Sequence, residues 1–207
     1  MSESPPSMGK KSRPGTVSLA VVLQLLLAVA MVVSGVLNFV YGADAQQAYE
    51  DELAAQGAGD SQLAVDSGGF EGTSNLVFPI VVAALMVVLA LLNAVGNRVG
   101  RILSWVFQPL VLVCGGIVLA GSLFAVPLMQ WGFDNAGDER LEGLDASALV
   151  EAAYGAFPAW SFVVDWAVAL LATLGSLLVI ILLAVPSSNA YFRKEAPPTY
   201  IPGAPTE

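Results

Sequence analysis

Apolar residues in this chain fall in four long runs, and polar residues are confined to the stretches between them. The runs are Val17 to Tyr41, Leu76 to about Gly96, Ile102 to about Met129 and Phe157 to Val185. Each holds at least the roughly 20 residues needed to cross a hydrocarbon core of about 30 Å. A chain crossing such a core must pair its own backbone polar groups, so each run is predicted to be a helix. The expected fold class is all-α: an integral membrane four-helix bundle over residues 17–185, with a disordered basic tail over 1–16 and a Pro-rich tail over 186–207. Two long polar loops separate the first span from the second and the third from the fourth.

The loops carry their own signals. Residues Ala45 to Gln56 are rich in Ala, Gln and Glu and fit a short helix. Gly57 to Ser74 is glycine-rich and is read as irregular. In the second loop, Asp145 can cap a helix over Ala146 to Tyr154. With its apolar face (Leu149, Val150, Ala153, Tyr154) down, this helix is expected along the outer surface or over the bundle mouth, or else packed only on its own loop. The dipeptides Phe78-Pro79 and Phe157-Pro158 are read as first turns of spans two and four, where a missing N–H is tolerated.

Charge gives the bundle a direction. Lys10, Lys11, Arg13, Arg98, Arg101, Arg193 and Lys194, seven of the eight basic residues, lie on the side of the two termini and the short second link. Lys and Arg are retained in the cytoplasm, so both termini are expected inside. The long loops hold Arg140 and thirteen carboxylates, a net −12, against +4 on the inner side. The overall charge of −9 is therefore a property of the outer face. The rival to a retained first span is a signal peptide cleaved after Ala43-Asp44-Ala45. The run from Val17 to Tyr41 is longer than the roughly 7–15 residues of a signal-peptide core, which favours retention.

Composition narrows the chemistry. The chain of 207 residues has 12% charged residues, no histidine and one cysteine. The commonest general base and metal ligand is thus missing, and no intrachain disulfide or cysteine cluster can form. Cys114, in an apolar run, is read as a small buried hydrophobe. No phosphate loop, dinucleotide fingerprint, zinc-protease motif, nucleophile elbow or basic nucleic-acid patch occurs. Asp134-Asn135-Ala136-Gly137-Asp138 lacks EF-hand spacing. Pro197-Pro198-Thr199-Tyr200 has the form that WW domains read, but four residues in a Pro-rich tail are a weak signal. These features imply no enzyme, no metal and no cofactor.

One ionisable residue, Asp165, lies inside a span, and such a residue is a functional candidate by default. Counted from Pro158 it sits about 10 Å along the helix, in the outer part of the membrane. Asn38 is the nearest polar residue in depth; Gln24 lies nearer the inner side. Asp165 reads either as a cation or proton site, or as a helix–helix hydrogen-bonding group in an outward dip. The lack of convergent polar groups at mid-membrane favours the second. Ala30/Ser34, Ala90/Ala94, Gly116/Ala120 and Ala172/Ser176 have the spacing that lets helices approach closely. Trp105, Trp131, Trp160 and Trp166 lie near span ends, as in an aromatic belt.

Gly96-Asn97-Arg98-Val99-Gly100-Arg101-Ile102-Leu103-Ser104-Trp105, then Cys114-Gly115-Gly116, then Ser188-Asn189-Ala190-Tyr191-Phe192-Arg193-Lys194 before a Pro-rich tail, resemble uncharacterised four-span membrane proteins of actinobacteria over about residues 17–200. The resemblance implies a plasma-membrane location and carries no catalytic residue across. The functional expectation is a non-enzymatic multi-pass protein, an accessory or scaffold subunit of a bacterial cell-envelope complex. Its partners would be the lipid bilayer and other membrane proteins, or copies of itself, and not nucleic acid. The alternative is a small transporter or channel subunit using Asp165.

Overall fold

The computed structural model describes residues 12–61, 65–66, 69–70 and 74–193. Lys10, Lys11, Glu71, Lys194 and the Pro197–Tyr200 motif lie outside the described residues. Those described form helices and connecting turns, with no strand among them. The helices are α1 (Gly15–Ala55), α2 (Ser74–Ala94), α3 (Arg98–Asp134), α4 (Ala146–Gly155), α5 (Ser161–Ala184) and α6 (Pro186–Phe192). Four of them, α1, α2, α3 and α5, are long and apolar enough to cross a membrane. In each of these a broad face of Val, Leu, Ile and Phe is left exposed, for example Val106, Val113, Ile117 and Leu128 on α3. An apolar surface this large needs a cover other than water.

Helix α1 is the axis on which the others pack: it touches α2, α4, α5 and α6. It is one helix of 41 residues, about 60 Å long, where the sequence predicts a span ending near Tyr41 and a separate loop helix. The continuity has a local reason. Residues 43–55 are mostly Ala, Gln and Glu, good helix formers, and no proline or left-handed glycine interrupts them. Helix α3 is likewise longer than its apolar run, with 37 residues. Both helices therefore project well past the roughly 30 Å of a bilayer core. Ala43-Asp44-Ala45 lies inside α1 with Ala45 fully buried, so cleavage there would cut α1 between bundle and projection.

The projections carry a second hydrophobic core. Tyr49 and Leu53 of α1, Phe133 of α3, Leu141 and Leu144 of the connecting turns, and Leu149 of α4 are buried together. Of the predicted α4 face, Leu149 and Ala153 are buried, Val150 is half-buried and Tyr154 is exposed. Helix α4 packs on the projecting ends of α1 and α3 and not on its own loop alone, closing a folded cap at the acidic end of the molecule. Its first turn is held from three directions. Asp145 caps it as predicted, accepting from Ser147 N (2.9 Å) and Ala148 N (3.2 Å). Gln130 of α3 accepts from Ala146 N at 3.1 Å, and Gln56 just past α1 accepts from Asp145 N at 2.7 Å. These glutamines satisfy amides that a helix start leaves without intrahelical partners.

The Asp145 cap makes the cap region acid-sensitive. Its hydrogen bonds, first from the Ser147 hydroxyl and then from the Ala148 and Ser147 amides, hold the carboxyl below the usual carboxylate range. A carboxyl with a lowered folded pKa stabilises the fold above its unfolded pKa, about 4, and loses that contribution as pH falls through the folded value. Protection of the Ser147–Leu149 amides against hydrogen exchange, corrected for intrinsic rates, is therefore expected to hold from pH 7 to about 5 and to drop below about 4. Asp145→Ala should show the lower protection already at neutral pH.

Three further boundaries differ from those the sequence predicts. Helix α2 begins at Ser74, so Pro79 lies in its second turn and not its first. The ring is accommodated because Gly35 of α1 faces it; a Cβ there would lie 3.3 Å from Pro79 Cβ. Span four begins at Ser161, leaving Phe157-Pro158 outside the helix, with Ser161 N donating to Pro158 O at 2.8 Å. Residues 186–192, expected as part of the tail, form α6 folded under the basic end. Tyr191 donates to Ala94 O at 2.7 Å, Ser188 to Leu182 O at 2.6 Å, and Thr16 and Ser188 share a hydrogen bond of 3.0 Å. Arg101 lies over Trp105 and Phe192, 4.9 and 5.4 Å from the ring centroids, and donates to Asn189 Oδ1.

Candidate functional site

Polar side chains within the bundle fall into two groups with an apolar layer between them. The group nearer the basic end joins Gln24 of α1, Asn93 of α2 and Ser104 of α3, all essentially inaccessible. Asn93 Nδ2 donates to Ser104 Oγ (2.8 Å) and Gln24 Oε1 (3.1 Å), and Gln24 Nε2 donates to Ser104 Oγ (3.3 Å). One turn on, Gln108 donates to Met86 Sδ at 3.7 Å. Asn93 Oδ1, Gln108 Oε1 and Ser176 Oγ are buried with no partner among the described residues. Bonds of this kind between apolar helices are worth about 0.6 kcal/mol each and fix which helix faces which. The triad ties three helices in register.

Above the triad lies the apolar layer: Leu27 and Ala28 of α1, Ala83, Met86 and Leu89 of α2, and Ala172 of α5. Here α3 and α5 cross closely, at Gly115, where a Cβ would fall 2.6 Å from Ala172 Cβ. The crossing coincides with a π-helical turn in α5, Leu171–Gly175, which follows the hydrogen bond from Thr173 Oγ1 to Ala169 O (2.6 Å). Gly116 and Ala120, a pair with the spacing for close approach, face open space or surface instead. Cys114 is also exposed on the outer flank of α3, not buried.

Toward the acidic end the bundle opens into a cleft of about 440 Å³ between α1, α3 and α5, roofed by α4. Asp165 and Asn38 both line it, so the two residues matched by depth share one wall-to-wall site. Ser34, Ser122, Ser161 and Tyr154 bring further polar groups to it. Polar groups from four helices therefore line the cleft, at the acidic end of the bundle and not in its middle. Asp165 is the fifth residue of α5, about 6 Å from its start, because the helix begins later than Pro158. It makes no hydrogen bond or ion pair among the described residues. Asn38 Nδ2 donates to Ser34 O at 2.9 Å, which orients the amide and leaves Oδ1 as an acceptor.

The roof is aromatic. Tyr41–Phe157, Phe157–Tyr154, Tyr154–Phe70 and Phe70–Tyr49 form a chain of rings with centroids 6.0–6.2 Å apart. Phe70 is held by its backbone: its N–H donates to Gln46 Oε1 (3.2 Å) and its carbonyl accepts from Asn75 Nδ2 (3.0 Å). Partial burial, and after it the charge of Asp165, push the Tyr154 phenol above its ordinary value, so it stays a neutral O–H donor at physiological pH. Sequence reasoning misses Tyr154, Phe70 and Ser122 as cleft residues. A signal exists only for Tyr154, whose place on the α4 face points it at the bundle.

Among the described residues no group of three or more His, Cys, Asp or Glu side chains could hold a metal ion. No protein-family model, curated protein or solved structure matches this chain.

Proposed function

We propose that the chain is a non-enzymatic, multi-pass protein of the bacterial plasma membrane, with both termini in the cytoplasm, that serves as an accessory or scaffold subunit of a cell-envelope complex. The observation that carries this reading is the cap. Two of the long apolar helices run without a break into a packed core beyond the bundle, so the acidic end is a folded platform continuous with the spans. Around that core Asp44, Glu50, Asp51, Glu139 and Glu142 are exposed acidic side chains. A folded, strongly acidic platform suits a partner with a basic face, and charge complementarity there governs partner choice and association rate.

The second reading is a small transporter or channel subunit using Asp165. What favours it is the convergence of Asp165 and Asn38 on one cleft. What weighs against it is the apolar layer of Leu27, Met86, Leu89 and Ala172, which separates that cleft from the Gln24–Asn93–Ser104 triad and interrupts any polar path. Resemblance to actinobacterial four-span proteins agrees with either.

Affinity purification from the native membrane is the test. Stoichiometric partners are expected, released when Glu50, Glu139 and Glu142 are changed together to lysine and weakened by raised salt. A lone homo-oligomer with an Asp165-dependent ion flux in proteoliposomes would overturn the proposal in favour of transport. Cysteine labelling at position 60 or 140 reports orientation separately, with access expected only from outside the cell.

A further inference from the structure

Whatever the cap recruits, the cleft beneath it has a composition that specifies a ligand. We propose that it binds a small organic cation with an apolar body, seating the positive centre against the Asp165 carboxylate and the hydrocarbon against the aromatic and aliphatic walls. Of the described residues lining the cleft, Asp165 is the sole carboxylate, and none is Lys or Arg. Asp165 is exposed within the cleft and has no hydrogen-bond or ion-pair partner among the described residues, so its carboxylate is available to a cation entering between the apolar walls. Phe162 and Trp166 flank Asp165 on α5, and Phe70, Tyr154 and Phe157 stand on the roof side. Aromatic faces around a carboxylate are the surroundings that favour ammonium-type cations over neutral ligands of the same shape. The Asn38 carbonyl and the serine hydroxyls add acceptors for an N–H bearing cation. The volume is in the range of small-molecule sites.

Competing occupants fit less well. A divalent metal ion wants six or more oxygens, including several carboxylates, and only one carboxylate is present among the described lining residues. A phospholipid would place its phosphate near Asp165 with no basic side chain on the described cleft wall to meet it. A plain acyl chain would leave the carboxylate uncompensated. The occupant chosen by charge is therefore a net cation without a phosphate.

Tetraphenylphosphonium and its isosteric anion, tetraphenylborate, separate these cases on the full-length protein in neutral detergent, by equilibrium dialysis or calorimetry. Saturable one-to-one binding of the phosphonium is expected, with tetraphenylborate bound at least about tenfold more weakly, because the Asp165 carboxylate attracts the one sign and repels the other. Asp165→Asn should weaken phosphonium binding about tenfold or more and strengthen borate binding, closing the gap between the two ions. Ser122→Phe fills the cleft from the exposed side of α3 while keeping Asp165, and should abolish binding with the Tm unchanged; it serves if Asp165→Asn fails to fold. Equal binding of the two ions, or phosphonium binding indifferent to both substitutions, would overturn the proposal. So would mass-spectrometric detection of a stoichiometric phospholipid retained by the wild type and lost in Asp165→Asn.

Discussion

Gly115→Val is expected to leave little folded protein, and Gly116→Val, one residue away, is expected to behave like the wild type. The contrast follows from what a side chain would meet. At Gly115 even the first carbon would fall 2.6 Å from Ala172 Cβ and 3.2 Å from the Ala172 carbonyl carbon, and backbone in the π turn cannot step aside. At Gly116 nothing lies within 4 Å. Overpacking of this kind costs about 1–3 kcal/mol or more per inserted group. Valine inserts a branched side chain where not even a methyl group fits, so α3 and α5 must separate and the acidic-end cleft must lose its shape. Fluorescence-detected size exclusion and thermal unfolding in neutral detergent would measure it. Gly116→Val should stay within about 0.5 kcal/mol of wild type, as surface changes do. Ala172→Gly, which removes the nearer clashing atom, should partly rescue Gly115→Ala, since substitutions at touching residues are not additive. Equal losses at 115 and 116 would mean that the close crossing lies elsewhere on α3.

The second large effect is expected in the cap. Leu53 is fully buried among Tyr49, Phe133 and Leu149 and belongs to the cap core, not to the central bundle layer. Leu53→Ala should cost about 2–5 kcal/mol, from lost burial together with the cavity left behind. Stability is not uniform across a structure, so the loss should fall mainly on the local opening of the cap. Hydrogen exchange is expected to accelerate across Ala146–Gly155 and the last three turns of α1, while the amides of α2 and α5 keep their protection. Equal acceleration throughout would show cap and bundle to be one cooperative unit. The substitution also bears on the proposed scaffold role, because a cap that opens would lose its partners without losing its place among the helices.

Much of this fold is legible in the residue pattern alone, and the reason is the strength of the signals involved. Four apolar runs too long for a soluble core point directly to four helices, and all four are present. Asp145 ahead of Ala146 has the form of a cap, and it accepts the two amides that a cap should. The alternation of basic and acidic connections separates the two ends of the chain's hairpins. The helix limits are less legible. An apolar run marks where side chains change from oily to polar, not where the backbone stops being helical, so it omits the polar continuations of α1 and α3. Helix α6 is hidden in a short segment, Pro186–Phe192, too brief to carry a periodic signal, and it is tied to the bundle by hydrogen bonds to Thr16, Ala94 and Arg101.

The candidate site shows the same division more sharply. The sequence by itself determines which residues are unusual: one carboxylate, Asp165, in an apolar run, and Asn38 at a similar depth. It does not place them in a cleft with Ser122 and Tyr154, nor does it choose Gly115 over Gly116 for the close crossing. In a water-soluble helix the buried face is apolar and the exposed face polar, so periodicity reports which way a residue turns. In helices apolar on all sides that periodicity vanishes, because a lipid-like surrounding and a protein core accept the same side chains. Which face turns inward is then decided by packing alone: by the small residues that let helices close, the Gln24–Asn93–Ser104 bonds that set their register, and the aromatic roof that Phe70 and α4 lay over the opening.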